Sequence, residues 1–419
     1  MKRNYTVVLL IFLVFFVISF LTNILGALNP NVSASFTLSE TMAGLLPFAF
    51  FIPYGVLSIP SGFLLERWGG KKMMIFSFAL AAFATLIFVL FPTFNVFVVS
   101  LFTIGAGMTM LQVVVNPLLR VAGGEEHYAF NAELGQLMFG IASFLSPQMF
   151  TYLVTNISHG NTEKPLIGLM SQLVESSFPW VSVYWVFVVI NVLMVVVIAF
   201  VNIPDIELKE DEKSGTAKSY AELFANKFVI LYFLGIFAYV GTEQGISYWM
   251  SKFLSRYHGF DPDTIGADSV SYFWGLMTIG GVVGLMLLKL FNSKQVLRWF
   301  TVLAIVSLST GLYGGDVVSY WSFSLSGFFL SVMFPVIISL GLNSVSKHHG
   351  SFAGIMLTGI AGGAIVQVLI GAISDLTTLR AGMMFLFVTL GYILSISFWA
   401  KPLINNKTIK ISGFFKKKK

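Results

Sequence analysis

The feature that most constrains the fold is a series of apolar runs, each about 20 residues long, repeated along the whole chain. A run of this length is what an α-helix needs to cross about 30 Å of hydrocarbon. Hydrophobic residues make up 56% of the 419 residues and charged residues only 11%, whereas soluble domains carry about 25% charged residues. The sequence therefore predicts an all-α polytopic membrane protein. We place twelve spans, numbered 1 to 12 in chain order, at residues 6–27, 42–65, 73–91, 94–119, 129–154, 180–202, 228–252, 268–290, 297–313, 317–345, 352–374 and 381–400.

The distribution of lysine and arginine predicts how the spans are oriented. If the N-terminus is cytoplasmic, all but four of the 25 basic residues fall on the cytoplasmic side, as the positive-inside rule requires. The exceptions are Lys164, Lys252, Arg256 and Arg380. A span count wrong by one would reverse every later loop and destroy this asymmetry. We therefore expect a multi-pass protein of the cell inner membrane with both termini in the cytoplasm.

A polar stretch at the centre of the chain, Asp205 to Ser219, predicts a linker between two groups of six spans. The predicted units are an N-terminal six-helix bundle at 1–203, a cytoplasmic linker at 204–224, a C-terminal six-helix bundle at 225–400 and a basic cytoplasmic tail at 401–419. Two capping-box patterns predict helix starts, with Thr37 and Ser219 as N-caps and Glu40 and Glu222 as their partners.

Several function classes are disfavoured by residues that the chain lacks. It has no cysteine, which removes thiol nucleophiles, disulfides and cysteine-bound metals. Its five histidines fall in loops or at helix ends, and it contains neither a G-x-S-x-G nor an H-E-x-x-H motif. We expect no enzymatic activity, no cofactor and no bound metal. The net charge of +6 follows from the positive-inside rule and does not indicate nucleic acid.

A family resemblance lies in the loop between spans 2 and 3. The segment 62–72, GFLLERWGGKK, has a glycine in the helix end, an acid–base pair, a Gly-Gly reversal and two lysines. It resembles the loop signature of the major facilitator superfamily, and 284–294 is the corresponding stretch of the second half. The resemblance implies two pseudo-symmetric six-helix bundles around a central cavity that opens alternately to each side. It also implies a gating loop made by Gly62, Glu66, Arg67, Gly69 and Lys71.

A narrower resemblance links the chain to the fucose/glucose/galactose branch of sugar:cation symporters. It is carried by Leu111 to Pro117, His127 to Gly140, Tyr239 to Glu243 and Pro335 to Asp375. The branch implies secondary active transport of a small neutral sugar, a hexose-like monosaccharide, with a proton or sodium ion as coupling partner. We expect a monomer in the lipid bilayer.

The chain also departs from this branch at places where the branch has functional residues. The two acids of the L-fucose:proton symporters fall on Gly26 and Gln112, neither of which takes up a proton. In span 5, Leu134 and Leu137 stand where a glutamine and an asparagine are expected, and Gly281 stands in place of an arginine in span 8.

The polar residues inside the spans are the candidates for substrate binding. An unpaired amide in apolar surroundings is costly, and an amide offers the donors and the acceptor that sugar hydroxyls need. Tyr239 and Trp274 have aromatic faces that suit the C–H surface of a sugar. The alternative for each amide is a hydrogen bond between helices, worth about 0.6–2 kcal/mol. The candidate amides are Asn23, Gln112, Asn116, Gln136, Gln244, Asn343 and Gln367.

Two acids lie inside the predicted spans away from their ends, and we identify both as candidate coupling residues. Glu243 in span 7 is predicted to couple transport to a cation or to bind a sugar hydroxyl, with a structural hydrogen bond as the alternative. Glu133 lies about one turn into span 5, where the helix dipole also favours an acid. Two other functions remain open, namely a facilitator without coupling and an exporter or flippase of amphipathic or lipid-like molecules.

Overall fold

The computed structural model describes residues 4–204, 217–345, 347–403 and 406. Within this part of the chain there are helices and connecting loops but no strand. The middle of the predicted linker and most of the basic tail, including Lys416 to Lys419, lie outside the described residues. The fold prediction is therefore tested on the spans and their loops.

Twelve helices long and apolar enough to cross a membrane are present in the described residues, as predicted. Their ends agree with the predicted spans within four residues, except that span 1 continues to Ser35, span 7 continues to His258 and span 8 already begins at Pro262. Two further short helices, Pro165–Leu173 and Ala217–Phe224, lie between spans. The spans are Tyr5–Ser35, Glu40–Trp68, Gly70–Leu90, Phe94–Gly123, Phe130–Ser158, Pro179–Phe200, Lys227–His258, Pro262–Leu290, Ser293–Tyr313, Asp316–Leu342, Gly350–Leu376 and Leu379–Trp399.

Several spans are interrupted inside the membrane. Span 1 consists of Tyr5–Thr22 and Leu25–Ser35, separated at Asn23 and Ile24. Span 10 is divided between Asp316–Leu330 and Met333–Leu342. Span 11 consists of His349–Thr358 and Gly362–Leu376, joined by one 3₁₀ turn, and span 12 is also divided. Interrupted helices leave backbone groups without intrahelical partners, so they are found where a span lines a cavity or changes direction.

The two membrane faces are distinguished here by the first span. We call the face at which span 1 begins the amino-terminal face and the opposite one the distal face. Since consecutive spans alternate in direction, spans 2, 8 and 11 meet the distal face at Glu40, Pro262 and Leu376, and span 7 meets it at His258.

The same lysine contact recurs in both halves, which supports their pseudo-symmetry. Lys71, after the turn between spans 2 and 3, donates from Nζ to the carbonyl oxygens of Ala199 (2.9 Å) and Val201 (2.8 Å) at the end of span 6. In the second half, Lys294 Nζ donates to the carbonyl oxygen of Ala400 at the end of span 12 (2.8 Å). In each half a cation thus neutralises the negative end of the last helix.

Both predicted capping boxes are wrong. Span 2 begins at Glu40, and its N-cap is Ser39, whose side chain accepts a hydrogen bond from the Met42 amide (3.2 Å). The short helix that was expected to start after Ser219 already begins at Ala217. The two preceding amides of span 2, those of Glu40 and Thr41, are bound by Asp375 of span 11.

We expect Lys71→Ala to lower the thermal stability of the protein. The change removes the cation from the carbonyl end of span 6, a contact worth about 1 kcal/mol. Thermal unfolding in detergent, followed by size-exclusion chromatography, measures the effect. Lys72→Ala is the matched control because Lys72 is adjacent and exposed. Equal unfolding midpoints for the two variants would contradict the anchoring role of Lys71.

Candidate functional site

The interruption of span 1 holds one of the predicted binding residues, Asn23. Its Nδ2 donates to Ser143 Oγ of span 5 (2.8 Å) and to Ser19 Oγ (3.3 Å). Both hydroxyls are within hydrogen-bonding distance of the Phe139 carbonyl oxygen. The Asn23 side chain is only 3% exposed, and its Oδ1 has no hydrogen-bond partner among the described residues. Asn23 therefore contains a buried acceptor whose hydrogen-bonding capacity is unused among the described residues.

Span 7 contributes a cluster of three predicted residues. The Tyr239 hydroxyl donates to Glu243 Oε1 (2.7 Å), and Gln244 Nε2 lies 3.5 Å from Glu243 Oε2. The Tyr239 ring packs on Phe334 of span 10, with 5.6 Å between ring centroids. Tyr239 and Gln244 are buried and Glu243 is half-buried. The structure thus brings together the carboxyl group, the amide and the aromatic ring that the sequence singled out in this span.

Trp274 in span 8 contains an unpartnered donor. The residue is 4% exposed, and its indole Nε1 has no hydrogen-bond partner in the described part of the chain. Its helix packs on span 5 through Ser271 and Gly275 and on span 10 through Phe273. Trp274 lies on the side of the helix opposite the exposed Tyr272 and Ile279. Gly281 is two turns further along this side, and a methyl group added there would have no atom of the described residues within 4 Å.

Gln367 forms the interhelical contact that was considered as an alternative for the amides. Its Oε1 accepts from Trp249 Nε1 of span 7 (2.9 Å), and its Nε2 donates to the Gly241 carbonyl oxygen (3.3 Å). The side chain is fully buried. These contacts join spans 7 and 11, and a direct role in binding stays a prediction.

The other predicted residues lie nearer the amino-terminal face. Asn116 is exposed and Gln112, one turn before it in span 4, is half-buried. Glu133 and Gln136 are both exposed on span 5. Asn343 ends the helix Met333–Leu342, and its carbonyl oxygen accepts from the Leu403 amide (2.7 Å). The ten predicted binding residues therefore do not form one cluster.

The sequence analysis missed a charged group that joins the two halves at the distal face. Glu40 of span 2 accepts from Lys252 Nζ (2.6 Å) and Arg256 Nη2 (2.5 Å) of span 7. Lys252 Nζ also donates to Ser33 Oγ of span 1 (3.1 Å). The Glu40 and Lys252 side chains are 9% and 11% exposed. We call Glu40, Lys252, Arg256 and Asp375 the distal latch, since Asp375 binds the Glu40 amide (2.8 Å).

A signal for the distal latch was present in the sequence. Lys252, Arg256 and Arg380 are three of the four basic residues predicted on that side, where such residues are rare. A search for acidic residues on the same face, as partners for these basic residues, would have identified Glu40. Its capping-box pattern instead suggested a purely local role.

Further polar contacts between the halves lie on the same face. Asn31 Nδ2 donates to Asp263 Oδ1 (2.6 Å), and Gln148 Nε2 donates to Asp268 Oδ1 (2.7 Å). The Tyr248 hydroxyl donates to the Ala43 carbonyl oxygen (2.6 Å). The distal face is therefore closed by contacts that link spans 1, 2 and 5 to spans 7, 8 and 11.

The close approach of spans 1 and 7 explains the glycine at position 26. A methyl group added at Gly26 would overlap the carbonyl oxygen of Ser247. Any larger side chain, including the acid expected from the branch, would force the two spans apart. Gly26 is thus the residue that allows the distal face to close this tightly.

We expect Glu40→Gln to open the distal face. The change leaves Lys252 without its counter-ion, and loss of one partner of a buried ion pair costs about 3–5 kcal/mol. Spin labels on Glu175→Cys and Thr377→Cys, both exposed and in different halves, would report a longer distance by double electron–electron resonance. Asp316→Asn is the control, because it breaks the His258–Asp316 pair (2.7 Å) within the second half. An unchanged distance in the Glu40 variant would argue against the latch.

The chain is similar to a known protein family and to characterised transporters along most of its length. The model of the Major Facilitator Superfamily matches residues 11–367. The glucose/galactose transporter of Brucella abortus biovar 1 is 28% identical over 394 residues, covering 91% of this chain and 90% of the relative. The L-fucose-proton symporter of Escherichia coli is 27% identical over 383 residues, covering 86% and 85%.

Solved structures show the same fold. The E. coli fucose:proton symporter superposes with a TM-score of 0.65 at 22% identity, covering 93% of this chain and 98% of that chain. A bacterial homologue of the human lysosomal transporter Spinster, in its inward-facing and unoccupied conformation, gives a TM-score of 0.78 at 13% identity, covering 94% and 96%. With twelve spans and a family match over most of its length, this multi-pass membrane protein belongs to the major facilitator superfamily.

Proposed function

We propose that the protein is a secondary active transporter that moves a small neutral sugar, a hexose-like monosaccharide, by alternating access. The observation that carries the proposal is that two predicted binding residues, one in each half, each keep a buried polar atom without a partner among the described residues. Asn23 Oδ1 in the first half is an acceptor, and Trp274 Nε1 in the second half is a donor. An unsatisfied buried group costs about 1–3 kcal/mol. A molecule with several hydroxyls relieves both costs, since each hydroxyl donates and accepts.

The charges of the site support a neutral substrate. Lys252 and Arg256 lie near the distal end of span 7 and are bound to Glu40. The deeper cluster of span 7 carries a carboxyl group rather than a cation. Neither the distal latch nor the span 7 cluster at Glu243 therefore offers a free counter-ion to an organic anion. The names of the relatives, a glucose/galactose transporter and an L-fucose-proton symporter, support a monosaccharide as the neutral class.

The positive-inside rule supports a cytoplasmic location for the amino-terminal face. Arg67, Lys71, Lys72, Arg120 and Lys294 lie at or near helix ends on that face. In this orientation the inner-membrane protein has both termini in the cytoplasm. The distal latch then faces the outside of the cell, and the structure is closed toward the outside.

Counterflow into proteoliposomes tests the proposal. Vesicles preloaded with glucose, galactose or fucose are diluted into the same labelled sugar, and labelled sugar is expected to accumulate transiently. An organic anion of similar size is not expected to compete. Strong transport of an anion or of a lipid-like amphiphile, with hexoses failing to compete, would replace this proposal by the exporter or flippase alternative.

We expect Trp274→Phe to weaken substrate binding while preserving the fold. The variant keeps an aromatic ring but removes the N–H donor, and loss of one hydrogen bond of about 0.5–1.5 kcal/mol raises KM about 2- to 12-fold. Trp249→Phe is the matched control, because its Nε1 is already bound to Gln367. That control is expected to lower thermal stability and to leave KM unchanged. The same KM in both variants and in the unchanged protein would exclude Trp274 from the binding site.

Glu243 is the residue we propose for coupling. An apolar environment favours the neutral, protonated form of a carboxyl group, while the Tyr239 hydroxyl and the Gln244 amide are placed to stabilise the anion. Both states are thus supported at one position. Such a group either carries a proton through the cycle or, as the anion, helps to bind sodium.

We expect Glu243→Gln to abolish accumulation against a gradient while counterflow continues. Glutamine preserves the shape and much of the hydrogen bonding but does not titrate. Uptake driven separately by a pH gradient and by a sodium gradient identifies the ion. Glu133→Gln is the comparison variant, the same change on an exposed acid of span 5. If both variants still accumulate sugar normally, facilitated diffusion is the better account, and if only Glu133→Gln fails, coupling moves to span 5.

A further inference from the structure

The contact between spans 2 and 11 runs through almost the whole membrane. At its distal end the Glu40 backbone packs on Gly371, and a methyl group added at Gly44 would lie 2.7 Å from the Gln367 carbonyl oxygen. Further along, Gly55 faces the Ala361 side chain. Ile59 still lies 4.0 Å from the position of a methyl group on Gly354. From Glu40 to Ile59 this contact covers about 28 Å of helix, close to the thickness of the hydrocarbon core.

The contact between spans 5 and 8 is much shorter. It begins where Gln148 binds Asp268 and Ser271, continues at Phe144 with Gly275, and ends at Gly140 with Thr278. This covers about 12 Å of span 5.

Beyond Gly140 the two spans separate. The register of the preceding contacts places Gln136 opposite Gly281 at the next turn. Gln136 is exposed, and so is Glu133 one turn further on. In the described part of the chain, no atom lies within 4 Å of a methyl group added at Gly281. A gap therefore opens here toward the amino-terminal face.

Pseudo-symmetry makes this difference informative. The matching contacts of Lys71 and Lys294 align Gly281 with Ser58, the residue before Ile59. At this level spans 2 and 11 are in contact, whereas spans 5 and 8 are apart. Span 11 is interrupted at Gly359–Ala361, which allows its segment His349–Thr358 to remain beside span 2 after the halves have tilted apart.

We propose that the protein opens to the amino-terminal face on one side only. The substrate passes between spans 5 and 8, past Gln136 and Gly281, while spans 2 and 11 stay joined and act as the hinge. The inference rests on the proposed function for the identity of the substrate. The one-sided opening itself is tested without any substrate.

Cysteine labelling tests the opening directly, because the chain has no cysteine of its own. Inverted membrane vesicles expose the amino-terminal face if that face is cytoplasmic, and right-side-out vesicles serve as the comparison. We expect a membrane-impermeant maleimide to modify Gly281→Cys at least about tenfold faster than Ile59→Cys, since Ile59 is packed in the contact with span 11 and a side chain in such a contact reacts only after local opening. Equal rates for Gly281→Cys and Ile59→Cys would overturn the proposal.

Disulfide bonds test the hinge. Oxidation of the Ile59→Cys/Gly354→Cys variant is expected to form a bond that leaves monosaccharide counterflow at the level of the reduced protein. Oxidation of Gln136→Cys/Gly281→Cys is expected to trap the closed passage and to abolish counterflow. Recovery after reduction shows that the variants are folded.

The other possible results of these experiments each contradict a stated part of the proposal. If the Ile59–Gly354 disulfide fails to form, or blocks counterflow, the hinge is absent. If the Gln136–Gly281 disulfide fails to form, or leaves counterflow unchanged, the passage lies elsewhere. If the unmodified protein transports no monosaccharide, the proposed function fails, while the labelling rates still decide the one-sided opening.

Discussion

The contact of Glu40 with Lys252 and Arg256 is the interaction on which the closed distal face depends. It links spans 2 and 7, which belong to different halves, through side chains that are about one-tenth exposed on Glu40 and Lys252. Removing charges from water costs several kcal/mol per ion, and the attraction between well-placed ions does little more than offset that cost. Such a contact adds little net stability, yet it strongly favours one arrangement of the two halves. Both properties suit a contact that would break and re-form in the alternating-access cycle that we propose.

The fold was largely predictable because its main determinant is local. Each span is set by about 20 consecutive apolar residues, and the turn at Lys71 is set by a short motif, so neither requires knowledge of distant contacts. The distal latch was not predictable in this way, because Glu40 and Lys252 are separated by 212 positions. Glu40 also matched a capping pattern, and that local interpretation concealed its distant partners. Asp375 completes the explanation, since it binds the first amides of span 2 and thereby replaces the predicted cap.

The candidate site was predictable only in part, because the sequence does not show in which direction each polar side chain points. Composition shows which polar residues are inside a span, but it does not show which neighbour each one faces. Asn23 and Trp274 each keep a buried polar atom without a partner in the described residues, whereas Gln367 uses its amide to join spans 7 and 11. These residues look alike in the sequence. Only the packing of the surrounding helices separates a group available to a ligand from one that is already bound.

Gly26 and Gly281 show how the departures from the symporter branch fit one structure. At Gly26 the backbones of spans 1 and 7 approach so closely that an acid has no room while the distal face is closed. At Gly281 the reverse holds, because a side chain would project into open space. The first glycine permits tight closure on one face, and the second widens the gap on the other. A chain that closes through Gly26 has no acid in span 1, so the coupling role that we propose belongs to another span. Glu243, held by Tyr239 and Gln244 in span 7, is the residue that we propose for it.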